Sequence, residues 1–220
     1  MSGTIGRSNL TECNKKSKVV EKIGPIMLPL SIDGLEIVNF ELTLYQLSMR
    51  NYHVLTYFPS PPTDTVLLRI ESACTFAHLY GSKLCDCREQ LEAALSIIRK
   101  EGGVLIYALD DHGRGVGLKN HVCVYEVEQT GIDTVEAHKS LGLEVDARHY
   151  EDVLKILHDM GIKKAKLLTN NPSRINFLKR HLDYLERIPL ENFITPYNIR
   201  ELMTKKEKMG HFLYPLQISG

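Results

Sequence analysis

The chain has 220 residues, 43% of them hydrophobic, enough for one compact domain with a real core or for two small ones. Its 27 Lys and Arg balance 27 Asp and Glu, so no global field draws it to nucleic acid or to an acidic membrane surface, and an anionic ligand has to meet a local cluster. No stretch has the apolar length of a signal-peptide core or a membrane span, which gives the expectation of a cytoplasmic protein bound to neither membrane nor nucleic acid.

Residues 1–20, rich in Ser, Thr, Asn and Lys, read as a disordered polar arm, and residues 21–220 as one domain. Short apolar runs at Ile26 to Leu30, Leu35 to Leu42, His53 to Phe58 and Val66 to Ile70 are divided by Asp33-Gly34, Arg50-Asn51 and Pro59 to Pro62. That spacing predicts an antiparallel β meander. From Asp86 the period changes, with Leu91, Ala94, Leu95 and Ile98 on one face of an amphipathic helix that Asp86 caps and Gly102-Gly103 ends. Val104 to Leu109 reads as a buried strand feeding the polar loop Asp110 to Gly115. Helices follow over Leu118 to Glu128 and through Val153, Ile156, Leu157 and Met160, closed by Gly161. Ala165 to Leu168 is another strand, which Thr169-Asn170-Asn171-Pro172 breaks into a further helix. Thr195-Pro196 has the pattern of an N-cap and a first-turn proline, opening a basic helix toward Lys208. The sum is an α+β fold: a mixed sheet with a β-rich N-terminal part and a helix-rich C-terminal part.

Five cysteines is an odd number, and in a reducing compartment the C-x10-C-x-C run of Cys74, Cys85 and Cys87 argues for metal rather than disulfides. Cys13, in the arm, and Cys123, in a helical pattern, are bystanders. Zinc accepts three thiolates readily, and a fourth position left to water makes such a site catalytic, because the water then ionises near neutral pH. Three inert core thiols are the bland alternative, and Cys85-Asp86-Cys87 at a helix start is a poor place to hide them.

Cys74 to Leu95, with its Cys85-Asp86-Cys87 and Gln90-Leu91-Glu92-Ala93-Ala94-Leu95 runs, resembles the zinc segment of GTP cyclohydrolase II. Further matches follow in the family's order: Gly113-Arg114, Gly117-Leu118, Asp133 to Ala137, Leu141-Gly142, Asp146 with Arg148, Leu167 to Pro172 and Glu207 to His211. The resemblance covers roughly Arg69 to His211. It implies a hydrolase that attacks C8 of guanine, opens the imidazole ring, and releases formate and pyrophosphate, as in riboflavin biosynthesis. Under it, Cys74, Cys85 and Cys87 hold zinc, Asp146 accepts a proton, and Arg148 attacks or stabilises the α-phosphate. Tyr125 stands at the base site; Arg69, Gln90, Arg114, Thr134 and Thr169 contact the nucleotide; and Arg174 takes a position where the family commonly has lysine. The same resemblance implies a homodimer and a Mg2+ ion accompanying the triphosphate.

The chain also departs from the pattern. Ala73, His78 and His112 stand where the family carries acids. Guanine presents adjacent donors that a carboxylate reads, so these changes predict weak guanine selectivity and a substrate with a differently presented heterocycle. Glu191, in the poorly matched C-terminal stretch, is a candidate replacement acid. A reading from another class rests on His78, four residues after Cys74: as a fourth zinc ligand it would close the site and leave a non-catalytic, zinc-stabilised nucleotide-binding protein.

Overall fold

The computed structural model describes residues 20–32, 34, 36–47 and 49–213. The expected polar arm, Cys13, Asp33 and Leu35 lie outside them. Strands β1 (Val20–Ile32), β2 (Glu36–Leu47) and β3 (Arg50–Tyr57) form the expected antiparallel meander, with Leu30 opposite Val38 and Leu44 opposite His53. Val66 to Ile70 does not extend it. There, β4 (Val66–Ser72) runs parallel to β5 (Gly103–Ala108) on one side and to β6 (Lys164–Leu168) on the other, while β3 pairs with β5. The reason is the connection: α2 (Cys87–Glu101) separates β4 from β5, and a helical crossover returns the chain to a parallel neighbour, where a hairpin turn would give an antiparallel one. β7 (Tyr184–Ile188), which no apolar periodicity announced, pairs parallel to β6 and completes one mixed seven-stranded sheet in the order β1-β2-β3-β5-β4-β6-β7.

Both faces of the parallel half are covered at its centre, which is why β5 reads as an unbroken apolar run, whereas β6 toward the edge keeps Lys166 exposed. Leu67, Leu105 and Leu168 meet Ala94 and Ile98 of α2 on one face. Their chain neighbours Leu68, Ile106 and Leu167 point the other way, against Val153, Ile156 and Leu157 of α5 (Glu151–Asp159) and Leu178 of α6 (Pro172–Leu178). Burying a side chain such as Ile98, which is 0% exposed, stabilises by about 1.5–3 kcal/mol. The remaining helices are α1 (Thr75–His78), α3 (Leu118–Glu128), α4 (Thr134–Ser140) and α7 (Ile199–Met209). Of these α4 had no periodic signal; its start is fixed by Asp133, whose carboxylate accepts from the Val135 and Glu136 amides.

Two helix starts differ from expectation. Asp86 occupies the cap position of α2 but makes no capping bond, because its carboxylate accepts from Gln90 Nε2 at 2.7 Å instead. The basic helix opens at Ile199 rather than at Pro196. Thr195 accepts from the Tyr197 and Asn198 amides, and Asn198 returns its side chain to the Thr195 amide and the Phe193 carbonyl, so residues 195–198 form a turn before α7.

Candidate functional site

A cleft opens beyond the C-terminal ends of the parallel strands, where open α/β sheets generally place their ligands. β4 delivers Glu71 to Cys74, the loop after β5 delivers Asp111 and Arg114, and the segment after β6 delivers Thr169, Asn171 and Arg174; α3, α4 and α7 close the other side. The loop after β5 has to pass very close to residues 146–148. A Cβ on Gly115 would stand 2.8 Å from the Ala147 carbonyl, and its φ of +87° suits glycine. Arg114, at φ +60°, holds a conformation uncommon for a side chain of its size, and its carbonyl accepts from the Ala147 amide at 2.9 Å.

Cys74 precedes α1, Cys87 opens α2, and Cys85 lies just before it. Their three Sγ atoms lie within 4.8 Å of one another, with Cys74 and Cys85 at 3.8 Å. Three thiols this close cannot all ionise unaided. The contact with Cys74, and then burial, pushes Cys85 up to about 12. A divalent cation removes that obstacle, and the soft trigonal donor set fits zinc. Among the described residues these cysteines are the one group of three or more potential ligands that converges, and no carboxylate cluster speaks for a built-in magnesium site.

His78 does not join them, which corrects the closed-site reading. Its Nε2 faces the Cys87 carbonyl at 3.3 Å, and its Nδ1 faces the Tyr107 hydroxyl at 2.7 Å and the Cys74 amide at 3.3 Å. Burial lowers its pKa, so the ring is neutral: Nε2–H donates to the carbonyl and Nδ1 accepts. Both nitrogens are thus spent, Nδ1 on the Tyr107 hydroxyl and the Cys74 amide and Nε2 on the Cys87 carbonyl. His112 likewise faces the Thr75 hydroxyl at 3.2 Å, so of the three positions that lack the expected acid only Ala73 lines the cleft.

The structure brings all the other sequence-selected residues except Asp146 and Glu191 to the cleft wall. Arg69 donates through Nε and Nη2 to Glu71 Oε2, through Nη1 to the Leu168 carbonyl and through Nη2 to Gln90. Arg114 donates to the Thr134 hydroxyl at 2.7 Å and to Glu201 at 2.9 Å. Tyr125 packs against Phe76 and His121, and burial drives its phenol pKa far up, so it stays protonated. Thr169 accepts from the Asn171 amide. Arg174 donates to the Ile70 carbonyl at 2.6 Å, and its Nε and the neighbouring Asn171 Nδ2 are buried donors without acceptors among the described residues. Asp146 lies behind the wall, both carboxylate oxygens on Arg148 at 2.7 and 2.6 Å.

Sequence reasoning missed several cleft residues: Asp111, Glu128, Glu201, Lys205, and the histidines His121 and His138. Glu201 and Lys205 carried a signal, the i, i+4 acid and base of a helical face, and they form an ion pair at 3.2 Å. Glu191 is exposed and takes no part.

Residues 34–189 match the family described as GTP cyclohydrolase II. The chain belongs to the GTP cyclohydrolase II family. Among curated relatives of this GTP cyclohydrolase II family member, the riboflavin biosynthesis protein RibBA of Aquifex aeolicus is 39% identical over 199 residues, 90% of this chain and 48% of the relative. RibBA proteins of Mycobacterium tuberculosis (strain ATCC 25618 / H37Rv) and Mycolicibacterium paratuberculosis are 43% and 42% identical over 157 residues, 70% of this chain and 37% of each relative. The chain therefore spans half or less of the length of these relatives. The GTP cyclohydrolase II family match ends at residue 189, so α7, which supplies Glu201 and Lys205 to the cleft, lies beyond it.

Proposed function

We propose that this chain opens the imidazole ring of a guanine nucleotide: water attacks C8, the ring opens, C8 leaves as formate, and pyrophosphate departs when a triphosphate is bound. The observation that carries the reading is the convergence of Cys74, Cys85 and Cys87 in the wall of a cleft that also presents Arg148 and Arg174. A zinc ion on the three thiolates supplies Lewis acidity and activates water for hydrolysis.

The chain's own residues then have separable tasks. Tyr125 offers a buried aromatic face to the base and a phenol that remains a donor. Arg148 presents a planar guanidinium to the phosphate, and Asp146 fixes its orientation through both carboxylate oxygens, while its role as proton acceptor rests on the family alone. Arg174 Nε and Asn171 Nδ2 have no acceptor among the described residues, a condition that costs about 1–3 kcal/mol per group and that phosphate oxygens relieve. Arg69, Gln90, Arg114, Thr134 and Thr169 complete the polar wall. Magnesium enters this picture with the triphosphate. Action in riboflavin biosynthesis, cytoplasmic placement, homodimerisation and a single working domain over residues 21–220 belong to the same proposal and rest on the family; among the described residues no helix is long and apolar enough to cross a membrane.

The test is incubation of zinc-loaded protein with GTP, ATP and UTP, followed by mass analysis of products. Ring-opened product with stoichiometric formate from GTP is the expected outcome. Intact nucleotides in every incubation would overturn the reading.

A further inference from the structure

We propose that Glu201 of α7 is the specificity-determining carboxylate that reads the donor edge of the heterocycle in this cleft. The inference rests on the ring-opening reading above. Guanine presents N1–H and a 2-amino group side by side, and such donors call for an ionised acceptor. Of the positions where one was expected, Ala73 offers only a methyl group, while His78 and His112 are engaged outside the cleft.

Most carboxylates that do line the cleft are committed. Glu71 has Oε2 held twice by Arg69 and is 4% exposed, and Asp86 accepts from Gln90 and is 1% exposed. Asp111 pairs with Arg50 and lies in the field of Arg148 and Arg174, at the end suited to anions. Glu128 is pushed toward its neutral form by burial.

Glu201 differs. Arg114 Nη2 at 2.9 Å and Lys205 Nζ at 3.2 Å both reach Oε1, and among the described residues Oε2 has no hydrogen-bond partner. Burial opposes its ionisation, but Lys205 and Arg114 outweigh it and pull the carboxyl down to about 2. It is therefore a permanent anion with one oxygen to spare. Its place also fits. Lys205, which meets Glu201 Oε1 at 3.2 Å, acts electrostatically on Cys85 and Cys87, and all four residues line the same cleft. A purine with C8 toward the cysteines turns its opposite, donor-bearing edge away from them, into the cleft that Glu201 lines. Glu201 stands on α7, beyond the residue 34–189 match and before the Glu207 to His211 motif.

The experiment compares GTP with inosine triphosphate, which lacks the 2-amino group, and with ATP, in the wild type, Glu201→Gln, Glu201→Asp and Glu128→Gln, all zinc-loaded. Turnover gives kcat/KM, calorimetry gives Kd, and zinc content with the melting temperature reports folding. A donor that loses its charged acceptor weakens recognition by about ten- to hundredfold. The wild type should prefer GTP over inosine triphosphate by that factor, Glu201→Gln should bring the ratio near one with zinc retained, and Glu201→Asp should restore part of it. A ratio unchanged in Glu201→Gln, a ratio erased by Glu128→Gln instead, or a wild type without the preference would overturn the inference. Failure of the ring-opening reading shows differently, as no product from any nucleotide; a binding ratio that still depends on Glu201 would then uphold the inference, and one that does not would reject it.

Discussion

Asp146→Asn removes the charge from a carboxylate whose two oxygens both serve Arg148, through Nε at 2.7 Å and Nη2 at 2.6 Å, with the Arg148 amide adding a third bond at 3.2 Å. Asparagine returns one acceptor and aims an N–H at the guanidinium in place of the other. Removing one partner of a buried ion pair costs about 3–5 kcal/mol. Here the side chains keep 11% and 22% exposure, and Asp111 remains as a second anion near Arg148, so the lower end, about 3 kcal/mol, is expected. At about 2–4 °C per kcal/mol for a domain of this size, the melting temperature should fall by about 6–12 °C at neutral pH. The pH dependence has a definite sign. Burial raises the Asp146 pKa, but the hydrogen bonds and charge of Arg148 outweigh it and hold the carboxyl below its ordinary range. Its contribution is therefore fully present above the unfolded value of about 3.9 and is lost as the pH falls through the lower folded value. Scanning calorimetry of wild type and variant should show a gap that is constant from about pH 5 to 8 and closes below about pH 4. Both proteins lose zinc alike in acid, so the gap is what carries the information. A gap under about 2 °C at pH 7, or one of the same size at pH 3, would refute the assignment of Asp146 as the partner that holds Arg148.

Cys85→Ser should abolish zinc binding and turnover together, because two thiolates and a hydroxyl no longer match the trigonal soft donor set; metal analysis of protein purified under reducing conditions checks it, and a wild type without zinc would sink the metal centre. His78→Ala should leave one zinc per chain with three sulfur ligands and no nitrogen, while weakening affinity by about ten- to hundredfold as the backbone around Cys74 and Cys87 loosens. X-ray absorption at the zinc edge reads both, and a nitrogen ligand lost from the wild-type spectrum on substitution would restore His78 as a ligand.

The sequence by itself determined the elements whose signals are local. The 3.6-residue period of Leu91, Ala94 and Ile98 gave α2, Gly102-Gly103 gave its end, and the C-x10-C-x-C run gave the converging thiol cluster, since these depend on chain geometry over a few residues. Ordered family motifs also placed Arg69, Arg114, Tyr125 and Arg174 in one site before any fold was drawn. What only the tertiary structure decided involves distance along the chain. Apolar runs in β4 and β3 look alike, and nothing local says that one takes parallel neighbours and the other antiparallel ones. His78 has the right spacing for a zinc ligand, but the Tyr107 hydroxyl, 29 residues away, claims its ring. Asp146 stands in the right motif yet faces Arg148, behind the cleft wall. Glu201, 87 residues away along the chain, reaches Arg114 in the cleft. Pairings of this kind are set by how helices close over the strand ends, and a side chain's chemistry there depends on which distant partner removes it from water.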